Sequence, residues 1–192
     1  AENRGIEHLP NLEFKFVCAN TLVPLPGGGA PLYEDEPSVE KLKNLRDQYF
    51  RSSGKDKKAL KEKFTKEQNK ISNNLRLWHH SEMQSFQLSL WKPFENKPSA
   101  WFDPDWMFGV KNGFDIVIAN PPYVRQEAIK ELKPVFKKHY ECFTGAADLF
   151  IYFYERSFKL LKEDGVLTFI SSNKYFRSGY GEKLRDFLAG KS

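Results

Sequence analysis

The tetrapeptide Asn120-Pro121-Pro122-Tyr123 contains the residue types in this sequence best suited to do chemistry. The side-chain oxygen of Asn120 and the carbonyl oxygen of Pro121 can each accept a hydrogen bond from the amino group of an aromatic base. Such acceptors stabilise the positive charge that develops on that nitrogen when it attacks an electrophilic methyl group. The Tyr123 ring can stack on the base, a contact worth about 1–3 kcal/mol. The tetrapeptide therefore fits methyl transfer to an amino nitrogen, or it simply marks a strand that ends in a Pro-Pro turn.

The segment before this tetrapeptide, residues 114–119, is short and mostly apolar, and it predicts a buried β-strand. Pro121 and Pro122 have no backbone N–H group, so we expect them to end the strand. Ligands bind at the carboxyl ends of the strands in open α/β sheets. Asn120 and Tyr123 are therefore predicted to lie at a binding edge.

A helix and a second strand are predicted further along the chain. Apolar residues at helical spacing between positions 149 and 161 predict the helix, and Gly165 is predicted to terminate it at the C′ position. Residues 166–170 predict a second short, buried strand. The order of strand, helix and strand is typical of a parallel sheet in an α/β protein.

The N-terminal part of the chain is predicted to contribute one more strand. Apolar and polar residues alternate from 12 to 18, which is the pattern of a strand with one buried face. The strand leads into a small polar corner at Asn20 and Thr21. From the residues alone, Asn20 can be either a ligand-binding side chain or an ordinary turn residue.

Residues 38–77 are predicted to form a basic helical hairpin, inserted into the rest of the fold. Between Glu40 and Arg76 there are twelve Lys and Arg residues against five Asp and Glu, whereas the whole chain has a net charge of +5. This segment therefore supplies the entire basic balance. Lys57, Lys58 and Lys61 are candidate contacts to DNA phosphates. The same lysines, interleaved with glutamates, are also typical of a solvated helix surface.

Composition sets wider limits on the protein. The chain has 192 residues, 40% of them hydrophobic, which suits one globular domain with a proper core. No apolar run is long enough for a membrane span. The two cysteines lie far apart and fit a reducing compartment, so a cytoplasmic location is expected. His79 and His80 have no partner at ligand spacing, and no metal site is predicted.

Together these segments resemble the catalytic core of bacterial DNA adenine-N6 methyltransferases from restriction-modification and phage-resistance systems (type IIG-like). The segments that carry the resemblance are residues 14–22, 106–109, 114–123, 148–153, 165–170 and 173–176. The resemblance implies a Rossmann-like class I fold that uses S-adenosylmethionine to methylate a flipped adenine in double-stranded DNA. It implies catalytic roles for Asn120, Pro121, Pro122 and Tyr123. Asn20, Thr21 and Asn120 would bind the cofactor, and Arg125 would contact the DNA backbone.

Residues 1–192 lack three features that the resemblance leads one to expect. They contain no glycine-rich cofactor loop and no ribose-binding acid before Leu12, and no target-recognition domain. We therefore expect residues 1–192 to be part of one catalytic domain, inactive alone and dependent on the N- and C-terminal parts of a larger protein. The sequence leaves two alternatives open: a methyltransferase acting on RNA adenine or protein glutamine, and a nucleic-acid-binding fragment without catalysis.

Overall fold

The structure is a computed structural model that describes residues 14–26, 37–77, 84–95 and 97–190, with only the backbone given for 75–77. The chain divides into two compact units, Ala1–Gly109 and Val110–Ser192, here called the N-terminal and C-terminal units. Each is described by itself. In the described part of the chain, no helix is both long and apolar enough to cross a membrane.

The N-terminal unit is helical. Its helices are α1 (Pro37–Arg51), α2 (Lys55–Leu77), α3 (Gln84–Leu90) and the single turn α4 (Pro104–Phe108). α1 and α2 are the two helices predicted between residues 38 and 77, and α2 also packs against α3. The break between α1 and α2 contains Gly54, whose positive φ of 57° suits glycine.

An aromatic cluster around Phe14 forms the core of the N-terminal unit. The Phe14 ring is buried, and its neighbours meet it mostly edge-on, with ring centroids 5.0–6.3 Å away. Edge-to-face pairs add about 0.5–1.5 kcal/mol each beyond the area that they bury. The partner rings belong to Tyr49, Phe50, Phe64, Trp91 and Phe94. Phe14 thereby fastens its segment to α1 and α2.

The strand predicted at residues 12–18 is wrong for the part that the structure describes. Residues 14–18 form a turn and an irregular segment, and Phe16 is 71% exposed although Phe14 is buried. Only isolated parallel bridges follow, from Ala19 to Ser99 and from Pro24 to Phe102. A strand needs a neighbour along its length to satisfy its backbone groups, and the described residues of this unit supply only these two points of pairing.

Arg46 is a buried charge that joins α1 to α4. Its Nη1 atom donates hydrogen bonds to the carbonyl oxygens of Asp105 (2.6 Å) and Trp106 (2.9 Å), in the last turn of α4. Its Nε and Nη2 atoms donate to Oδ1 of Asp47, at 2.8 and 2.7 Å. The guanidinium also lies 5.6 Å from the ring centroid of Trp106. The Asp105 carbonyl oxygen also accepts from the Gly109 amide at 2.8 Å, so Arg46 is a second donor there. Carbonyls at a helix end have no partner within the helix, and Arg46 supplies the donor for that of Trp106.

The C-terminal unit is built on two parallel strands, β1 (Phe114–Ala119) and β2 (Leu161–Phe169). They pair in register from Ile116 opposite Val166 to Ala119 opposite Phe169. The predicted order of strand, helix and strand is confirmed, so this unit is an α/β structure with a small parallel sheet. The remaining elements are a 3-10 helix (Gln126–Leu132), α5 (Lys133–His139), α6 (Leu149–Lys159), short 3-10 turns at Asn173–Phe176 and Gly179–Gly181, and α7 (Glu182–Ala189).

The prediction that Gly165 terminates the helix is wrong. α6 ends at Lys159, and Gly165 lies inside β2. There the ladder is irregular. Phe114 pairs with Leu161 and Ile116 pairs with Val166, so one residue of β1 lies opposite four residues of β2. Gly113, at a φ of 86°, passes directly over this irregularity, and a Cβ atom on it would lie 2.5 Å from the Leu161 carbonyl carbon. Only glycine allows this close approach of the two chains.

Only one face of β1 is covered, although the sequence predicts a buried strand. Side chains alternate between the two faces of a strand. One face of the sheet carries Phe169 of β2, which pairs with Ala119 of β1. This face packs against α6, where the Phe169 and Tyr154 ring centroids are 4.7 Å apart. On the opposite face, Ile116 is 59% exposed and Ile118 is 75% exposed. The described residues of this unit therefore leave an apolar face of the sheet open.

Candidate active site

The tetrapeptide follows β1 directly, as the sequence predicts. β1 ends at Ala119, the next residue, Asn120, is exposed, and Pro121 is fully buried. Pro122 is exposed, and Tyr123 is 55% exposed despite its large ring. Pro121 thus anchors the turn in the unit, while the Asn120 amide and the Tyr123 ring stay accessible at the carboxyl end of the strand.

Tyr123 is tied to the neighbouring strand through its hydroxyl group. The hydroxyl donates a hydrogen bond to the Ile170 carbonyl oxygen at 3.1 Å, just beyond the end of β2. The Ile170 amide in turn donates to the Ala119 carbonyl oxygen at 3.1 Å, so the two strand ends are joined directly. The bond to Ile170 occupies the hydroxyl proton and fixes the far end of the ring. This arrangement suits a stacking platform.

The segment after Tyr123 is held by the start of α6. The Leu149 amide donates to the Val124 carbonyl oxygen at 2.9 Å. The Asp148 carboxylate makes no side-chain cap on its own helix. It instead accepts from the Gln126 amide through Oδ1 and from the Tyr180 hydroxyl through Oδ2, both at 3.2 Å. The sequence did not predict this role for Asp148.

A cavity of about 410 Å³ opens beside Tyr123. Its volume is within the range of about 300–1,000 Å³ that is usual for small-molecule sites. Three segments meet here: the exit of β1, the start of α6 and the exit of β2. The residues that line the cavity are Tyr123, Arg125, Asp148, Phe150, Ser172 and Lys174. Arg125 was predicted as a site residue. Ser172 and Lys174 were missed, although they follow the end of β2 just as Asn120 follows β1.

Asn20 and Thr21 belong to the N-terminal unit, and Asn120 belongs to the C-terminal unit. Asn20 is exposed, and its Oδ1 atom accepts from the Leu22 amide at 3.2 Å. Its own amide donates to the Ser99 carbonyl oxygen at 2.9 Å. This is the geometry of a side-chain-stabilised turn. It leaves the Nδ2 group as the part of the carboxamide that can donate to a ligand. The role of Asn20 and Thr21 in cofactor binding stays a prediction.

The hairpin lysines differ in their surroundings. Lys57 Nζ lies 5.5 Å from the Tyr49 ring centroid, and Lys61 Nζ lies 4.9 Å from the Phe94 ring centroid. Lys58 is exposed. Two of the three predicted DNA contacts therefore also pack on aromatic rings of the unit's core. DNA binding by Lys57, Lys58 and Lys61 stays a prediction.

Other chemistry-bearing groups of the C-terminal unit serve its packing. Burial raises the pKa of the Cys142 thiol far above its usual range, which disfavours the nucleophilic thiolate.

The described residues contain no group of His, Cys, Asp and Glu side chains able to hold a metal ion. His79 and His80 lie outside the described residues.

Glu155 on α6 is a fully buried carboxylate. It accepts from the amides of Glu141 (2.9 Å) and Cys142 (2.7 Å) and from Lys159 Nζ (2.6 Å). Burial by itself raises the pKa of Glu155, but the hydrogen bonds from Lys159 and the two amides outweigh it and hold the pKa below the usual range of a glutamate. Glu155 therefore stabilises the loop before α6 in its ionised form.

Parts of the chain are similar to known methyltransferases. The Type II methyltransferase M.BstVI of Geobacillus stearothermophilus is 45% identical over 76 residues, which are 39% of this chain and 14% of that protein. The Type II restriction enzyme and methyltransferase RM.Eco57I of Escherichia coli is 35% identical over 80 residues, 40% of this chain and 8% of that protein. A release factor glutamine methyltransferase of Clostridium botulinum is 31% identical over 81 residues, 39% of this chain and 26% of that protein.

The chain thus spans only a small part of the length of these relatives. The sequence model of one family covers nearly all of it, from residue 14 to residue 192. On that match, the chain belongs to the Eco57I restriction-modification methylase family.

Proposed function

We propose that this chain is part of a site-specific DNA adenine-N6 methyltransferase with a Rossmann-like class I fold that uses S-adenosylmethionine. The observation that carries the proposal is the arrangement at the end of β1. Pro121 is buried and Asn120 is exposed at the carboxyl end of a parallel sheet, and the exposed Tyr123 lines a cavity there. The family name and the β1–α6–β2 unit support it.

The proposed mechanism uses the two oxygens of the turn. The target adenine leaves the DNA stack, at a cost of a few kcal/mol, and lies on the Tyr123 ring. The Asn120 side-chain oxygen and the Pro121 carbonyl oxygen then accept the two N–H groups of the exocyclic amine. Both acceptors favour a nitrogen with a localised lone pair and stabilise its positive charge as the new bond forms. When bound, S-adenosylmethionine supplies the electrophilic methyl group.

Three residues are proposed to hold the cofactor. Asn20 and Thr21 would contact its adenine, and Asn120 would lie at its methyl-bearing end. The donor set of Asn20 fits an adenine ring, because Leu22 occupies the Oδ1 atom and the Nδ2 group remains as a donor to a ring nitrogen. These assignments concern binding and orientation alone.

Glutamine methylation of a protein is the second candidate. The match to a release factor glutamine methyltransferase favours it, and a glutamine amide nitrogen has the same delocalised lone pair as an adenine amine. Two cations on the cavity wall, Arg125 and Lys174, instead favour a polyanionic substrate. DNA is therefore the preferred substrate of the two.

The test uses the full-length protein and cofactor with a labelled methyl group, offered separately to duplex DNA, RNA and a glutamine-containing protein. We expect label in DNA, on the N6 atom of adenine when the digested nucleosides are analysed by mass spectrometry. Asn120→Ala should lower the rate by about 10²–10³, the usual cost of one such contact. DNA affinity should stay within a few-fold.

Asn112→Ala is the matched control, since Asn112 is also exposed but precedes β1 instead of following it. Its rate should equal that of the unmodified protein. Label that appears only in RNA or protein would contradict the DNA assignment. An Asn120→Ala rate within tenfold of the unmodified protein would contradict the role given to Asn120.

A further inference from the structure

The cavity beside Tyr123 carries two cations that the methyl-transfer chemistry does not use. Arg125 lies after β1 and Lys174 lies after β2, so the sheet brings them to one cavity from separate parts of the chain. Both residues are exposed. Neither side chain forms an ion pair or hydrogen bond with any residue that the structure describes. The charge of Arg125 contributes to lowering the pKa of the nearby Glu127, but the Glu127 carboxylate accepts its hydrogen bond from Gln126 Nε2, at 2.9 Å.

The remaining polar groups of the cavity show which kind of ligand it can take. Ser172 Oγ accepts from the Lys174 amide at 3.2 Å, which leaves its hydroxyl proton to donate. Both oxygens of Asp148 already accept hydrogen bonds from the protein, at 3.2 Å each. The donors that remain for a ligand are the Arg125 guanidinium, the Lys174 ammonium and the Ser172 hydroxyl. The cavity's one carboxylate, that of Asp148, is already hydrogen-bonded. An anion with several oxygen atoms matches that set.

The position of the cavity narrows the choice of anion. Its wall includes the Tyr123 ring, on which the proposed function places the extruded base. Each nucleotide carries its phosphate one sugar away from its base. A base on Tyr123 therefore brings a backbone phosphate to the cavity, where Arg125 and Lys174 are exposed.

We propose that Arg125, Ser172 and Lys174 form a phosphate clamp, which holds the backbone phosphate next to the extruded base. The position of that base rests on the proposed function. The clamp positions the nucleotide and takes no part in methyl transfer. It reads no sequence, because a phosphate is the same beside every base.

Salt dependence of DNA binding by the full-length protein tests the clamp. Arg125→Met and Lys174→Met keep much of the apolar stem and remove the charge. Each should lower DNA affinity about five- to tenfold for every sequence alike and reduce the slope of log affinity against log salt by about 0.9. Lys130→Met is the matched control, an exposed lysine of the same unit outside the cavity lining, and its slope should change by less than half as much.

A chemical substitution in the DNA tests the position of the clamp. The modified adenine is first located by sequencing methylated DNA, and a neutral methylphosphonate then replaces the phosphate on either side of it. At one of the two positions the substitution should weaken binding by the unmodified protein, and it should cause no further loss in the Arg125→Met, Lys174→Met double variant. The proposal would be overturned if, at both positions, the loss of affinity from the methylphosphonate simply multiplied the loss from the double variant.

Two further results would also overturn it. One is an unchanged salt slope in both single variants with their thermal unfolding intact. The other is a loss of cofactor affinity without a loss of DNA affinity, which would assign the cations to the carboxylate of S-adenosylmethionine. A full-length protein that binds DNA but transfers no methyl group to it would refute the proposed function, and the salt slopes would still decide whether the phosphate clamp exists.

Discussion

Replacing Tyr123 with phenylalanine removes one oxygen atom and one hydrogen bond from the candidate active site. The lost bond is the one from the hydroxyl to the Ile170 carbonyl oxygen, at 3.1 Å and in a solvent-exposed setting. A neutral hydrogen bond of this kind contributes about 0.5–1.5 kcal/mol net. Since about 1.4 kcal/mol corresponds to a factor of ten in rate, we expect Tyr123→Phe to slow methyl transfer about two- to tenfold.

Removing the whole ring should cost far more. Tyr123→Ala loses the same hydrogen bond and also the stacking surface, worth about 1–3 kcal/mol per base. The two contributions together predict a rate about ten- to a thousandfold lower. The gap between the phenylalanine and alanine variants thus measures the stacking contact alone.

The assay is single-turnover methylation of duplex DNA with the full-length protein in excess, so that slow product release does not hide the chemical step. Tyr152→Phe is the matched control. The Tyr152 hydroxyl also donates to a backbone carbonyl oxygen, that of Thr144 at 3.2 Å, but it lies outside the cavity lining. We expect this control to lose stability and to keep its single-turnover rate.

A Tyr123→Phe variant that is as slow as Tyr123→Ala, with thermal unfolding that matches that of the control, would contradict this prediction. The hydroxyl group would then act on the reacting atoms, and its bond to Ile170 would not describe the working complex. A rate equal to that of the unmodified protein would show that this bond does not position the ring.

Two further predictions concern stability and charge. Glu155→Gln should lower the free energy of unfolding at neutral pH by about 3 kcal/mol, because it removes the buried charge that Lys159 and two amides stabilise. Since the folded-state pKa of Glu155 is lowered, its contribution to stability is present at neutral pH and lost in acid. In urea titrations below about pH 4, the free energy of unfolding should therefore fall less in the variant than in the unmodified protein. Charge reversal at the exposed Lys58 and Lys63 should flatten the salt dependence of DNA binding, as fluorescence anisotropy can measure. An unchanged slope would leave the hairpin a solvated surface.

The parts of the fold that were predicted correctly have strong local signals. Residues 114–119 are mostly apolar, with two prolines shortly after them, and β1 has those bounds. Between residues 149 and 161 the aromatic and aliphatic residues follow a helical spacing, and α6 forms over Leu149–Lys159. Each signal depends only on neighbours in the sequence, so it can be interpreted without the fold.

The errors and omissions depend on contacts between distant residues. Phe14 could not be recognised as the centre of an aromatic cluster, because its partners lie 35 to 80 residues further along the chain. Gly165 has the spacing of a helix terminus, but it lies inside β2, where the pairing with β1 is irregular and Gly113 passes close to Leu161. Lys174 joins the cavity only because β2 pairs with β1 in parallel.

Arg46 has a consequence for any attempt to engineer this protein. The basic hairpin of α1 and α2 could be deleted to make a smaller protein, or exchanged with that of a relative to change the proposed DNA contacts. Deletion would remove the Arg46 donor to the Trp106 carbonyl oxygen, which would then need water or a new partner. The Asp105 carbonyl oxygen would lose one donor and keep the Gly109 amide. Lysine is no substitute, because one ammonium cannot reproduce a planar fork that reaches two carbonyls and Asp47 together. A shortened or grafted arm should therefore keep Arg46 and Asp47, together with the rings that pack on Phe14, which are Tyr49, Phe50 and Phe64.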